Sequence, residues 1–406
     1  MKGISDHESM KLNNQLIVLR AIRERGPISR VDLQACTKLS WGTITSSIKV
    51  LLAKKILREV GPVTTGIGRR PVQLDLNTAR NFVLGLQLGS HLVRSTLVDV
   101  KGKVIGELDT PVNARGRGEQ IVESIAGTAR RLLGAHAVSS SLLAGIGVAA
   151  PGAVDFRTGV CHFAPHHPGW KDVPLRRILE RRFRVPCFVD HVSNCFALSE
   201  KLFGAGRGLT HFVCVLLGTG VSAGIVVNGE VYRGADSVAG EFGHTCIDAE
   251  GPVCVCGNAG CLEVYASGSA LSRLAAAEIR RRPKSLIAVL AGRRGRDAAG
   301  EAICAAAHEG DPAAIEILET LGRYLGIGVS NLISLFNPER IIIGGRVSRA
   351  SECFLPVFTA TVEKRAWHAS TRDIRISTLE RGAVLGAAAL VFQEVFATGQ
   401  IVRRSA

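Results

Sequence analysis

The sequence reads as an α/β protein of two similar lobes that carries a winged helix-turn-helix at its N-terminus. Three observations lead there: a basic N-terminal stretch of helical segments followed by two strands around a Gly-rich loop, a strand-turn-strand-turn-strand pattern that occurs twice, and a tight Cys/His cluster within the second copy. At 406 residues the chain is long enough for two or three domains with cores of their own. A composition of 46% hydrophobic and 21% charged residues belongs to a globular protein and excludes a disordered one. Met-Lys-Gly-Ile-Ser-Asp-His-Glu has no apolar signal core, and no run of roughly 18 apolar residues occurs, so a cytoplasmic location without a membrane partner is expected.

The net charge of +15 is unevenly spread. Residues 1–78 hold 13 Lys/Arg against 6 Asp/Glu, a net +7, which points to a polyanion-binding head, although a solvated basic face would show the same excess. Leu12, Leu16, Leu19 and Ile22 recur at helical spacing, and Gly26-Pro27 ends that helix. Ser29, with Asp32 at the capping-box distance, starts a short helix through Thr37, and Ser40 caps a third whose Ile44, Ile48 and Leu51 face inward. Two short helices joined by a tight turn behind a supporting helix make a helix-turn-helix. Beside Ser40 its outward face carries Trp41, Thr43, Thr45, Ser46 and Lys49, small hydroxyls and a cation suited to the major groove of a double-stranded DNA operator. Ile56–Val60 and Val72–Leu76 read as strands around Gly61–Arg70, a wing that places Arg69 and Arg70 for phosphate or minor-groove contact.

Phe82–Gly89 is an apolar strand ending in a Gly turn, followed by a strand at Leu92–Asp99, Lys101-Gly102 and the start of a third. The same grammar returns at Phe212–Gly220, Ala223–Val227, the Asn228-Gly229 hairpin turn and Glu230–Tyr232. The duplication implies two lobes, 79–200 and 201–406, with part of the C-terminal helices returning to the first, and a ligand cleft between them. Ala- and Gly-rich apolar faces at Ile315–Phe336 and Val384–Phe396 suit lobe closure or self-association as a homodimer or homotetramer.

His244, Cys254, Cys256 and Cys261 place four potential metal ligands within eighteen positions. Zn2+ prefers a tetrahedron of thiolates and imidazole, and Gly257 and Gly260 let the backbone fold tightly enough to supply it. A closed structural zinc site is expected, against the plainer reading that these are reduced thiols like the others scattered through the eleven-cysteine chain. Pinning this loop would also fix Glu241, His244 and Glu263 as hydrogen-bonding groups suited to sugar hydroxyls.

Ala239-Gly-Glu-Phe-Gly-His244, followed by Cys254-Val-Cys-Gly-Asn-Ala-Gly-Cys-Leu-Glu263, resembles the signature of the ROK family of repressors, open reading frames and sugar kinases. Ala150-Pro-Gly152, Pro168-Gly-Trp170, Gly218-Thr-Gly220 and Ile341–Gly345 stand in family order, so the resemblance spans essentially the whole chain. It implies the actin-like, hexokinase-like (ribonuclease H-like) ATPase fold, and the N-terminal module points to the repressor branch. It also implies that Gly152, His191, Glu241, His244 and Glu263 contact a sugar, with His244 also on zinc. The alternative for Glu241 and Glu263 is that they brace the zinc loop from behind its ligands.

A kinase of this family needs a carboxylate to deprotonate the attacking hydroxyl. The Asn-Asp pair that supplies it aligns with His191-Val192, and valine accepts no proton. Asp190, on the same side of an extended chain, would lie about 6–7 Å back. Gln87 stands where family kinases carry an acid, and His91 near their Thr. His166 replaces the Asn that precedes Pro-Gly-Trp in many members. The expectation is a non-enzymatic regulator of carbohydrate uptake or metabolism genes that senses a sugar or sugar phosphate. A sugar kinase with an appended DNA-binding head, or a sensor of a phosphotransferase-system protein, are the alternatives.

Overall fold

The computed structural model describes residues 6–61, 72–113, 115–294, 299–367 and 373–397, and among them the chain forms a small head and two lobes built on like sheets. In the head, α1 (Asp6–Arg25) stops before Gly26-Pro27, where proline has no N–H to continue the helix. The two-residue β1 (Ile28–Ser29), which periodicity does not signal, leads into α2 (Arg30–Thr37), and the Ser29 hydroxyl accepts from the Asp32 amide at 3.2 Å as its cap. Lys38, at φ 59°, turns the chain left-handed, and Ser40 caps α3 (Trp41–Ala53) by accepting from the Thr43 amide at 3.2 Å. Leu16, Leu19, Ile22, Leu33, Ile44, Ile48 and Leu51 are buried between these helices. β2 (Leu57–Val60) and β3 (Gln73–Leu76) complete a sheet of order β1-β3-β2. Arg69 and Arg70 lie outside the described residues.

The head is seated on the body. Asp75 of β3, 3% exposed, accepts from the Lys101 ammonium at 2.7 Å, and the Asp99 carboxylate shapes the turn that carries Lys101 by accepting from the amides of Lys101 and Lys103. The apolar core of the head is continuous with that of the first lobe.

The first lobe contains β4 (Phe82–Leu88), β5 (Leu92–Val98), β6 (Val104–Pro111), α4 (Gly118–Ala135), β7 (Leu143–Ala150), β8 (Ala153–Asp155), β9 (Val160–Phe163), β10 (Lys171–Val173), α5 (Leu175–Phe183), β11 (Cys187–His191) and α6 (Val192–Phe203). The second contains β12 (Phe212–Leu217), β13 (Val221–Val227), β14 (Glu230–Val231), α7 (Gly268–Arg281), α8 (Leu286–Arg294), α9 (Ala299–His308), α10 (Pro312–Phe336), β15 (Arg340–Gly344), α11 (Ser351–Arg365), β16 (Asp373–Ile376) and α12 (Gly382–Ala397). Their main sheets follow one plan. In order β11-β7-β4-β5-β6 and β14-β13-β12-β15-β16, three antiparallel strands are extended by two parallel ones, which is the ATPase-type duplication that the repeated strand grammar predicts.

The central strands β7 and β12 are apolar along their whole length because both their faces are covered, whereas the outer strands β6 and β16 keep polar, part-exposed positions. Helix α12 crosses back from the second lobe onto β4 and β7, while α6 lies on β12 and β13, and the two helices cross each other between the lobes. These contacts run backbone to backbone. A Cβ on Gly147 would collide with the Ala387 carbonyl, one on Gly224 with that of Ser193, and one on Gly386 with that of Cys195. The apolar face of Val384–Phe396 is thus spent inside the molecule, with Val384, Ala387, Leu390 and Val391 all buried. Gly147→Ala is expected to destabilise the protein by about 2–3 kcal/mol in denaturant unfolding. Gly127→Ala, in open space within α4, should leave stability unchanged or raise it by up to about 1 kcal/mol. Equal effects at the two positions would contradict this packing.

Candidate functional site

The ends of the parallel strands of the first lobe set one wall of the interlobe cleft. His191 closes β11 opposite Ala150, so Gly152 stands beside it, at φ 76°, where a Cβ would strike the Phe163 carbonyl. The need for glycine at 152 therefore comes from packing against β9. The ring of His191 is oriented by its neighbours. The Ser193 hydroxyl donates to the Ala223 carbonyl at 3.0 Å and so accepts from His191 Nδ1 at 2.7 Å, which leaves Nε2 bare and facing Glu241 Oε1 at 3.9 Å. Two acceptors that distance apart need a proton each, as two neighbouring hydroxyls would supply. The other Glu241 oxygen lies 4.0 Å from His244 Nε2.

His244 leads into the metal cluster. The ligand atoms of His244, Cys254, Cys256 and Cys261 all lie within 4.8 Å of one another, with Cys254 Sγ to His244 Nδ1 and Cys256 Sγ to Cys261 Sγ both 3.6 Å. Those spacings match the edges of a tetrahedron with metal–sulfur bonds of about 2.3 Å, so the donor set could hold a metal ion. Gly257 (φ 95°) and Gly260 (φ 62°) supply the tight turns, and a Cβ on Gly260 would collide with the Asp248 carbonyl. The amide of Asn258 pulls the Cys256 thiol down to about 7, while burial pushes Cys261 up to about 12. The loop is fastened to α10 through Tyr265, which donates to Asp248 at 2.7 Å and stacks on Tyr324 with ring centroids 4.1 Å apart.

Glu263 does different work from Glu241. Its Oε2 accepts from the Val221 amide at 3.0 Å and so braces the turn between β12 and β13. Burial holds the His166 ring below the usual histidine range, with Glu263 raising it and His91 lowering it, which places these three in one neighbourhood.

Asp190 is buried and paired. It is 1% exposed, its Oδ2 takes the Arg233 guanidinium at 2.9 and 2.8 Å, and its Oδ1 accepts from the His191 amide and the Asn194 side chain. Arg233, from the second lobe, also lies 3.9 Å over the Phe156 ring. One expectation needs correction: Val192 is not the next outward position of an extended strand but the first residue of α6, half-buried against the core. Asp190 and Val192 therefore share no strand face. Arg233 and Ser193 were invisible to motif reading, since nothing local marks an arginine that pairs with a carboxylate 43 positions away across the cleft.

On the head, Trp41, Thr45, Ser46 and Lys49 are exposed along α3. The hydroxyls of Ser40 and Thr43 lie 2.9 Å apart at the helix cap, and the Ser46 hydroxyl donates to the Thr43 carbonyl. Among the described residues, Trp41, Thr45 and Lys49 are the outward groups of α3 for which no such local bond is seen.

A family model described as "ROK family" matches residues 83–394. The chain belongs to the ROK family. Among its ROK relatives, the DNA-binding transcriptional dual regulator NagC of Escherichia coli K12 is 30% identical, over 96% of this chain and 94% of that protein. A solved ROK family transcriptional regulator, a homologue of the E. coli MLC protein, superimposes with a TM-score of 0.81 at 28% identity, over 97% of this chain and all of that one. A ROK family glucokinase from Streptomyces griseus, in complex with glucose and AMPPNP, gives a TM-score of 0.66 at 31% identity, over 76% of this chain and 99% of that one. The regulator thus spans the head as well as the lobes, and the glucokinase about three quarters of the chain.

Removing the guanidinium in Arg233→Ala leaves Asp190 buried and unpaired, with an expected cost of about 3–5 kcal/mol in equilibrium unfolding. Arg233→Met combined with Asp190→Asn should recover most of that loss, and a double variant as unstable as the single one would disprove the pairing.

Proposed function

We propose that this chain is a DNA-binding transcriptional regulator, a repressor of genes for carbohydrate uptake or metabolism, whose cleft senses a sugar or sugar phosphate without phosphorylating it. The observation that carries this reading is the fate of the carboxylate nearest the cleft. Both oxygens of Asp190 are engaged, by Arg233, Asn194 and the His191 amide, and the next position but one is Val192, so neither offers a free base to a hydroxyl. What remains suits recognition: the bare Nε2 of His191 and the Glu241 carboxylate accept hydrogen bonds from hydroxyls, and Gly152, His244 and Glu263 complete the wall.

Zinc is the metal we assign to His244, Cys254, Cys256 and Cys261, in a structural role. It would hold the loop that aims Glu241 and Glu263, and all four positions are filled by protein. At the other end of the chain, Trp41, Thr45 and Lys49 of α3 enter a major groove, with Ser40, Thr43 and Ser46 forming the helix start that approaches it, and Arg69 and Arg70 take phosphates. This reading calls for a homodimer or homotetramer on a pseudo-palindromic operator.

Three measurements test the reading. Cys256→Ser should release most of the bound zinc by elemental analysis and lower the melting temperature by several degrees; full zinc retention would remove the site. On duplexes selected by the protein from random sequence, Lys49→Ala should weaken binding and reduce the slope of log affinity against log salt by about 1. The same preparation should show no ATP turnover with a hexose panel. An unchanged slope, or turnover, would overturn the corresponding half of the proposal.

A further inference from the structure

The duplicated sheets place two equivalent turns face to face. The turn after β4 carries Gly89 and Ser90, and the turn after β12 carries Gly218, Thr219 and Gly220. Gly-rich turns after strands bind phosphate when their amides point outward into a ligand. Here three amides at the edges of the turns are turned on the protein itself. Gly89 N donates to the Leu92 carbonyl, Gly218 N to that of Gly220, and Val221 N to Glu263, all within 2.9–3.0 Å.

The helix that follows is equally self-satisfied. At the start of α7, Gly268 N donates to the Gly218 carbonyl and Ser269 N to that of Thr219, each at 2.9 Å, and Ala270 N to the Ser267 hydroxyl at 3.0 Å. A Cβ on Gly268 would come within 2.6 Å of Gly218 O, so the helix end and the turn are in contact with no room between them. Across the cleft, His167 Nε2 holds the Gly89 carbonyl at 3.1 Å. Each turn is therefore fixed by its own lobe, and the two meet where Ser90 Oγ lies 2.9 Å from Thr219 Oγ1, a hydrogen bond between residues 129 positions apart.

We propose that Ser90 and Thr219 form a latch that joins the lobes through the chain's own hydroxyls and shuts nucleotide phosphates out of the cleft. This deepens the sensor reading given above and rests on it: the cleft has one occupiable end, lined by His191, Glu241 and His244, while the end between the Gly turns is sealed. Glu263 links the two ends, because the carboxylate that could meet a sugar hydroxyl is the one that holds the Thr219 turn through Val221 N. Two further ties reinforce the closure, the Asp190–Arg233 ion pair and the bond from Arg157 to the Ala235 carbonyl at 2.9 Å.

The test uses the full zinc-loaded chain, dialysed free of sugar and without DNA, so that its failure is separate from a failure of operator binding. In Ser90→Cys/Thr219→Cys, mild oxidation should join positions 90 and 219 in most molecules, identified by peptide mass spectrometry. Ser90→Cys and Thr219→Cys alone measure capture by the native thiols. Little or no 90–219 crosslink in a variant with wild-type zinc content and melting temperature would overturn the latch. Calorimetry with the magnesium complex of AMPPNP at millimolar concentration should show no binding to the wild-type chain, and saturable binding would overturn the exclusion of nucleotide. Ser90→Ala/Thr219→Ala, which keeps both turns but removes the hydroxyl pair, should show about 5-fold or more faster protection loss than wild type for a cysteine-reactive probe at an introduced Gln87→Cys. An unchanged rate would likewise count against the latch.

Discussion

The close crossing of α6 and α12 is the constraint on which the rest of the molecule depends. Each helix lies on the sheet of one lobe, and each is pressed there at a glycine, Gly224 beneath α6 and Gly147 beneath α12, with Gly386 at the crossing itself. Interiors this dense repack between discrete arrangements and do not deform smoothly. The lobes are thus related through a pivot of fixed composition. The cleft, the facing Gly turns and the ion pair between Asp190 and Arg233 are all consequences of where that pivot holds the two sheets.

A buried carboxylate is costly unless its oxygens are satisfied, and within the cleft Asp190 meets that demand with a guanidinium from the opposite lobe. Glu241 is the carboxylate left with an accessible face, flanked by His191 and His244 at distances too long for direct hydrogen bonds. The Cys/His loop supports the same end of the cleft, since His244 presents one ring nitrogen to Glu241 and the other to Cys254.

Features carried by local spacing were legible in the sequence. The Cys-x-Cys…Cys pattern with His244 upstream led to a set of side chains that does converge, and the repeated strand-turn grammar led to two sheets of one topology. The head was readable from its caps, because Ser29 and Ser40 act through bonds three residues long. What escaped was set by tertiary approach. No periodicity announces that Arg233 reaches Asp190, that Ser90 meets Thr219, or that Ser193 fixes the tautomer of His191. The placement of Val192 was misjudged for a related reason: the change from strand to helix falls at His191, and neither Gly nor Pro marks it. Glycine at 152, singled out as a ligand contact, is also demanded by Phe163, which a motif alone does not reveal.

The ion pair between Asp75 and Lys101 gives the head a definite posture. A recognition helix borne on a loose tether would average over many directions, whereas one anchored through a desolvated carboxylate inherits the attitude of the first lobe. Any rotation about the helix crossing is then carried outward as by a lever, and a small angle between the sheets becomes a larger displacement at the groove-reading end. In a twofold assembly, the spacing between operator half-sites would be written into the angle between two sheets that never touch DNA.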